Sequence, residues 1–286
     1  MKRLHNIEEY KEIVRQAREK CQNAFSNNYF MPGDVRRYIE IGKAYYESTP
    51  CGGYLLLLDE EKYYRVCMYV DATSEFTIPD LDKKAVIKNV YRKGKEEACL
   101  ADIEKRMADM SFRKEGTVVQ VSGDVAGIYE NCKRFERFAD KLLRKGYQCV
   151  AVDDTYYDAV DKLMLSGYFI RDYQIDYRTS REKEALLPGS YLCILNEKDE
   201  ICAVSVSYIE GAIAYGEGIL IEDAYKMQGL AQVLMYHRFK WLFENQVQKI
   251  VAWILVDNEV SMRYHTGLGY QLHNKYVNEW VRYNED

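Results

Sequence analysis

The residues best suited to chemistry by type and spacing are Tyr225 to Ala231, which read Tyr-Lys-Met-Gln-Gly-Leu-Ala. The apolar stretch Gly218 to Ile221 before them predicts a strand, and an amphipathic pattern after them predicts a long helix. Gly229 has no Cβ, so the main chain there can approach a ligand closely, and the N–H groups of a first helical turn have no partner in their own helix. This arrangement predicts a backbone cradle for a pyrophosphate group.

A second segment with regular spacing, residues 258–270, follows the apolar run Lys249 to Val256, which predicts a strand covered on both faces. The segment holds Asn258, Ser261, Gly269 and Tyr270 in one register. Together with the cradle, these residues resemble the GNAT-type N-acetyltransferase superfamily. The resemblance covers the second half of the chain and implies acetyl-CoA as the acyl-donor substrate, with no metal.

The family's cofactor loop carries Gln or Arg, two residues, Gly, one residue, and then Gly or Ala. Lys226, Gly229 and Ala231 fall on those three places, although Met227 stands where glycine is common. Because backbone N–H groups make the phosphate contacts, phosphate binding does not depend on the side chains of Lys226 and Met227. The resemblance implies a donor-binding set of Ile221, Lys226, Met227, Gln228, Gly229, Leu230, Ala231, Asn258 and Ser261. A helix N-cap is the alternative role for Asn258.

The resemblance also implies a group that protonates the departing thiolate. Many members carry a tyrosine at the position that His265 occupies here. A coenzyme A thiol resembles that of cysteine, with a pKa of about 8.5, so a histidine cation or a tyrosine could supply the proton. His265 is the first candidate and Tyr264 the second, and a structural histidine hydrogen-bonded inside the fold is the alternative for His265.

An attacking ammonium must lose a proton before it reaches a thioester, so a general base is also expected. Glu217 and Glu222 lie on or just after the strand where the family often places this base. Their offset of five puts them on opposite faces of a regular strand, so only one can point into a cleft unless the strand bulges. Solvated carboxylates are the alternative. The family uses main-chain N–H groups around Ile221 to polarise the acetyl carbonyl.

The pattern along the chain predicts an α/β (α+β) protein with a mixed, mostly antiparallel sheet flanked by helices. Residues 1–146 predict a degenerate GNAT-like or accessory domain, and residues 147–286 the acetyl-CoA-binding catalytic domain, in tandem. Helices are expected at 7–24, 34–47, 95–110, 129–145, 155–166, near 180–187, 228–245 and 258–267. Strands are expected at 54–58, 63–70, 85–91, 117–121, 149–152, 168–177, 191–195, 201–209, 212–221, 249–256 and 271–283. In a GNAT-like first domain, helix 95–110 would hold the place of the cofactor helix.

Composition limits the function classes. The chain has 286 residues, 48% of them apolar, and a net charge of -5, which gives no general electrostatic reason to bind nucleic acid. The eight cysteines form no C-x-x-C pair and are expected to be reduced thiols. No run of about 18 apolar residues predicts a membrane span. The chain is therefore expected to be cytoplasmic, as a monomer or homodimer.

The resulting hypothesis is an acetyl-CoA-dependent N-acetyltransferase that transfers an acetyl group to a primary amine by direct attack in a ternary complex. The acceptor is expected to be a small molecule or a peptide. Two alternatives stay open. One is a non-catalytic module that binds or senses acetyl-CoA, and the other is a tRNA-dependent aminoacyl transferase of tandem GNAT-like fold.

Overall fold

The computed structural model of the protein describes residues 1–21, 24–30, 32–60, 62–71, 76–94, 97–166 and 191–283. By their contacts these residues fall into two compact units. The first unit consists of Met1–Thr117 and Lys275–Asp286, and the second of Val118–Asn274. The expected strand 168–177 and the helix near 180–187 lie outside the described residues.

The first unit begins with strand β1 and helix α1. Helix α1 starts where Asn6 accepts a hydrogen bond from the Glu9 amide at 2.9 Å, with acidic residues in its first turn and basic residues in its last, as the helix dipole favours. The elements are β1 (Lys2–Arg3), α1 (Ile7–Lys20), β2 (Ala24–Ser26), α2 (Pro32–Glu40), β3 (Ala44–Ser48), β4 (Tyr54–Asp59), β5 (Tyr63–Asp71), β6 (Lys84–Arg92) and α3 (Glu97–Asp109).

The second unit begins at Val118, within strand β7. Its elements are β7 (Arg113–Asp124), α4 (Val125–Cys132), α5 (Glu136–Leu143), β8 (Gln148–Ala151), α6 (Tyr157–Ser166), β9 (Tyr191–Leu195), β10 (Ile201–Glu210), β11 (Ile213–Ile221), α7 (Leu230–Glu244), β12 (Lys249–Leu255), α8 (Glu259–Leu268) and the start of β13 (Gln271–Arg282). Met235 and Phe239 of helix α7 belong to the same buried core as Ala252 and Ile254 of β12, on one face of the sheet.

Both units have the same strand pattern. The first pairs its strands in the order β1-β3-β4-β5-β6-β13, where β5 and β6 run parallel and the other pairs described are antiparallel. The second uses the order β8-β9-β10-β11-β12-β7, where β11 and β12 run parallel and the other pairs described are antiparallel. The predicted mixed, mostly antiparallel sheet is therefore confirmed.

Three predicted helices differ from the structure. The expected helix 7–24 ends at Lys20, and Ala24 begins strand β2. The expected helix 34–47 stops at Glu40, because Gly42 takes the left-handed conformation (φ 72°), and strand β3 follows. The expected helix 129–145 is two shorter helices, α4 and α5, joined by a 3₁₀ turn at Lys133–Phe135.

The chain also divides at places other than the predicted boundary between residues 146 and 147. Residues 118–146 belong to the second unit, and residues 275–286 to the first. Helix α3 follows β6, the second of the parallel strands, whereas α7 follows β11, the first of them. The expectation that helix 95–110 holds the place of the cofactor helix is therefore wrong.

Candidate active site

The predicted cradle lies between β11 and α7. Gly229 adopts the left-handed conformation (φ 86°) directly before the helix, and Met227 does so as well (φ 61°). The first helical hydrogen bond runs from the Val233 amide to the Gly229 carbonyl at 3.2 Å, so the earlier amides have no helical carbonyl to donate to. Left-handed residues that alternate with ordinary ones turn successive N–H groups toward one point, which is an anion-binding geometry.

Contacts on its strand side hold the cradle in place. A 3₁₀ turn, Asp223–Tyr225, connects β11 to it. The Asn196 side chain donates to the Tyr225 hydroxyl at 2.9 Å, and Tyr147 packs edge-on against the Tyr225 ring. A Cβ added at Gly229 would meet one atom within 4 Å, a ring carbon of Phe138 at 3.5 Å. The first-turn amides are the groups of this loop that could hold a phosphate.

The strand that leads into the cradle parts from its parallel neighbour. Strands β11 and β12 pair only from Ile213↔Lys249 to Gly216↔Ala252. Beyond this point β11 continues to Ile221 beside β10, and β12 continues to Leu255 beside β7. We call this opening the second-unit fork. No strand among the described residues faces the backbone N–H and C=O groups on its inner edges, so a ligand with amide groups could pair with them.

Strand β11 contains a bulge at the mouth of the fork. Val206 of β10 pairs with Gly218, but Ser207 pairs with Gly216, so Glu217 is the extra residue. The Glu217 side chain lies outside the described part of the structure. Glu222 follows the strand end, is exposed, and donates its amide to the Cys202 carbonyl at 2.9 Å. Because of this bulge, strand alternation no longer requires Glu217 and Glu222 to face opposite sides of the sheet.

The segment after β12 forms one connected set of hydrogen bonds. Asn258 caps α8, because its side-chain oxygen accepts from the Ser261 amide at 3.0 Å. The Ser261 carbonyl lies 2.8 Å from His265 Nδ1, and the Ser261 hydroxyl lies 3.3 Å from the same nitrogen. A carbonyl only accepts, so Nδ1 carries the proton and Nε2 of the neutral ring is an acceptor. The N-cap role considered for Asn258 is thus present.

Burial sets the protonation of this histidine. Burial is the main cause that lowers the pKa of His265; the Ser261 backbone opposes it and the Arg238 charge adds to it. The ring also packs edge-on against Tyr270, with 4.9 Å between the ring centroids. At neutral pH the side chain is therefore the neutral imidazole. A histidine cation, as the sequence argument allowed, does not fit this environment.

Tyr264 has a different environment. Its ring packs on the core under α7, and its hydroxyl is buried without a hydrogen-bond partner among the described residues. Burial raises the pKa of Tyr264 well above its ordinary value. A phenol with a raised pKa is a weaker proton donor to a thiolate than an ordinary tyrosine.

We expect Tyr264→Phe to keep turnover within about twofold and to leave the protein as stable or slightly more stable. Removing an unsatisfied buried hydroxyl without changing shape is close to neutral or stabilising, by about 1 kcal/mol. Thermal unfolding and initial rates measure the two effects. A hundredfold loss of turnover would instead assign the proton donor to Tyr264.

Sequence reasoning missed an aromatic surface beside the fork. Tyr208 and Tyr215 stack across β10 and β11, with 4.7 Å between the ring centroids. Trp253 on β12 is 39% exposed, and strand alternation turns it away from Ala252 and Ile254, which pack under α7. The sequence signal for this surface was Trp253, an aromatic residue inside an otherwise aliphatic run. The interpretation of that run as a strand covered on both faces gave Trp253 no exposed role.

A polar pair lies farther across the sheet. The Ser122 hydroxyl of β7 is 2.6 Å from Nε2 of His273 on β13. Ser122 pairs directly with Val251, which in turn pairs with Tyr215, so the pair continues the same row of side chains. No spacing in the sequence connects His273 to Ser122.

Comparison with known proteins assigns one segment of the chain to a family. The sequence profile of the acetyltransferase (GNAT) family matches residues 157–270. This match covers the cradle, both strands of the second-unit fork and helix α8. Residues 157–270 are a GNAT acetyltransferase domain. A comparison with curated proteins finds no match to the sequence.

Solved structures extend the likeness beyond the GNAT domain. A tandem GNAT protein from the clavulanic acid biosynthesis pathway is 13% identical, with a TM-score of 0.56, over 98% of this chain and 96% of its own. A GCN5-related N-acetyltransferase from Sphaerobacter thermophilus is 10% identical, with a TM-score of 0.56, over 89% and 86%. The glucosamine N-acetyltransferase region of a fungal multi-domain GH3 β-N-acetylglucosaminidase is 9% identical, with a TM-score of 0.57, over 94% of this chain and 34% of its own. At these identities the likeness establishes the fold, a tandem GNAT arrangement.

The described residues add two general observations. No helix among them combines the length and apolar character needed to cross a membrane. The cysteines that the structure describes are free thiols, and most of them are buried.

Proposed function

We propose that the protein is an acetyl-CoA-dependent N-acetyltransferase that acetylates a primary amine by direct attack in a ternary complex. One observation carries the proposal: the strand that opens the second-unit fork leads, through the 3₁₀ turn Asp223–Tyr225, into the left-handed cradle at Gly229. A ligand with a pyrophosphate at one end and amide groups along its arm fits both features, the pyrophosphate in the cradle and the arm in the fork. Acetyl-CoA is such a ligand, and its thioester carbonyl is the group that the amine attacks.

The chain's own groups would hold the donor in three places. The amides from Met227 to Ala231 bind the pyrophosphate, and the Lys226 ammonium, which pairs with Asp223 at 2.5 Å, lies on the solvent side of the same loop. The inner edge of β11 up to Ile221 pairs with the amides of the arm. Main-chain N–H groups near Ile221 polarise the carbonyl that is attacked.

Proton transfer is assigned to the neutral His265. Its Nδ1–H stays on the Ser261 carbonyl, so Nε2 takes up the proton that the attacking amine loses and returns it to the thiolate. Glu222 and Glu217 remain the candidates for removing the first proton from the acceptor ammonium. In this assignment the ring is a carrier that starts neutral, and not an acid that starts charged.

The acceptor approaches from the face that carries Tyr208, Tyr215 and Trp253. On the opposite face, Ala214 of β11 and Ala252 and Ile254 of β12 belong to the core under α7, so we place the acceptor on the aromatic face. Aromatic faces attract alkylammonium groups and apolar carbon skeletons. We therefore propose an amine acceptor whose carbon skeleton packs on these rings.

We expect Trp253→Ala to raise the KM for the amine by roughly 5- to 30-fold, because an aromatic contact to a desolvated cation contributes about 1–2 kcal/mol. The affinity for acetyl-CoA should stay within twofold. Phe243→Ala is the matched control, since Phe243 is an exposed aromatic residue of the same unit on the α7 side. Equal KM values in all three proteins would contradict the assigned acceptor face.

The deciding experiment measures release of free thiol from acetyl-CoA with a panel of primary amines, including aromatic and aliphatic amines and peptides with a free N-terminus. Acetylated product, identified by mass, supports the proposal. A second candidate is an acetyl-CoA-binding module without turnover, which the packed, internally hydrogen-bonded His265 favours. Binding of acetyl-CoA with no turnover on any amine would support that candidate.

A further inference from the structure

The first unit contains a fork with the same strand arrangement as the second-unit fork. Strands β5 and β6 run parallel and pair only from Tyr63↔Lys84 to Arg65↔Val86. Beyond this point β5 continues beside β4 to Tyr54↔Tyr69, and β6 continues beside β13 to Lys275↔Arg92. By topology this first-unit fork is the place where a second acyl donor would bind.

The inner edge of β5 in the first-unit fork is already hydrogen-bonded to the chain itself. Strand β2 pairs antiparallel with β5, from Ala24↔Asp71 to Ser26↔Tyr69. Asn27 continues this pairing, because its amide donates to the Met68 carbonyl at 3.2 Å. The fork's edge is thus lined by residues 24–27.

The Asn27 side chain completes the pairing as a small amide would. Its oxygen accepts from the Met68 amide at 2.7 Å, and its nitrogen donates to the Val66 carbonyl at 2.9 Å. Asn27 is only 5% exposed, so both bonds are made away from water. The pantetheine arm of an acyl-CoA offers amide groups of the same kind, and here the chain's own carboxamide occupies the positions they would need.

The segment is also attached to its surroundings on other sides. The Tyr29 hydroxyl donates to the Val90 carbonyl of β6 at 2.8 Å, which ties the segment to the second strand of the fork. The Asn28 side chain donates to the hydroxyls of Tyr10 and Tyr54, at 2.9 and 2.7 Å. Residues 24–29 are therefore built into the fork from both strands.

The connection between β5 and β6 offers no cradle in its described part. Residues 76–83 contain no helix, and Ile78 packs into the core of the unit with Met68 and Ile87. The Arg282 guanidinium donates to the carbonyls of Ile78 and Pro79, at 3.2 and 2.6 Å, and fixes this stretch against β13. A pyrophosphate would find no first-turn amides here.

We infer that residues 24–29 are a built-in occupant of the first-unit fork, so that the chain binds one acyl-CoA, in the second unit. The occupant reproduces with Asn27 the strand-edge hydrogen bonds that a donor arm would make. The first unit then keeps the shape of a donor domain without the ability to take up a donor.

Two measurements on the full chain test the inference. Calorimetric titration with acetyl-CoA should give one site in the wild type and none in Gly229→Val. Residue-resolved hydrogen exchange should show a protected Met68 amide that acetyl-CoA leaves unchanged. Asn27→Ala should speed exchange at Met68 at least tenfold relative to the wild type. Asn28→Ala, which keeps the acceptor of Met68, should not.

A second site in the wild type, or a site that survives Gly229→Val with exchange changes at residues 24–29, would overturn the inference. So would an unprotected Met68 amide in the wild type. If acetyl-CoA bound nowhere, the donor site of the second unit would fail. The protected Met68 amide and its response to Asn27→Ala would still support the occupied fork.

Discussion

Gly229→Val is expected to lower the affinity for acetyl-CoA at least a hundredfold. A β-branched residue is strongly disfavoured at φ 86°, so the loop would leave the conformation that turns its amides toward one point. Hydrogen bonds between amides and a charged phosphate contribute about 1.5–3 kcal/mol each, and loss of two corresponds to roughly 10²- to 10⁴-fold in affinity. Calorimetric titration measures the effect directly.

The matched control for this change is Gly211→Val. Gly211 also has a left-handed backbone (φ 59°), an added Cβ would meet no atom within 4 Å, and it lies in the turn between β10 and β11, away from the cradle. Both variants should unfold at lower temperature, by a comparable amount. Only Gly229→Val should lose the donor, and equal donor affinity in the two variants would exclude the cradle as the phosphate site.

His265→Gln is expected to lower turnover about 10²- to 10⁴-fold, the usual contribution of a positioned proton-transfer group. The affinity for acetyl-CoA should stay within twofold, because His265 bonds to Ser261 and not to the cradle. Glutamine keeps an N–H donor of similar reach. Loss of turnover at unchanged donor affinity therefore reports the missing Nε2 acceptor, measured as kcat beside a separate titration.

The pH profile gives a second readout of the same residue. Burial lowers the pKa of His265, and the carrier role needs the neutral ring, so activity should fall only as the pH drops below the ordinary histidine value of about 6.5. A histidine acting as a cation would instead lose activity as the pH rises through its pKa. His237→Gln is the control, since burial also lowers the pKa of His237 on α7. A His265→Gln enzyme with near-wild-type turnover would favour the binding module.

The sequence was informative where function depends on local conformation. Gly229 could be assigned to a helix entry because a left-handed residue before a helix has few chemical solutions, and glycine is the commonest. Asn258 could be assigned as a cap for the same reason. Both positions depend only on neighbours a few residues away.

The features that the sequence did not reveal depend on distant pairings. Ala252 and Gly216 mark the start of the second-unit fork, but nothing in either residue says that the strands part there. Asn27 looks like one loop asparagine among several, and its role depends on Met68, far along the chain. Trp253 and the Ser122–His273 pair likewise gain meaning only from the strand order.

Each unit contains a strand segment from the other half of the sequence, and this limits where the chain can be cut. A fragment that ends at residue 146 would lack Lys275–Arg282, and the paired edge of β6 from Ala85 to Arg92 would be bare. It would also lose Trp280, which is buried in the first-unit core. An uncovered hydrophobic strand edge pairs with other chains, so such a truncated protein is expected to aggregate. Either half, if expressed alone, therefore needs its missing strand, either fused through a linker or added as a separate peptide.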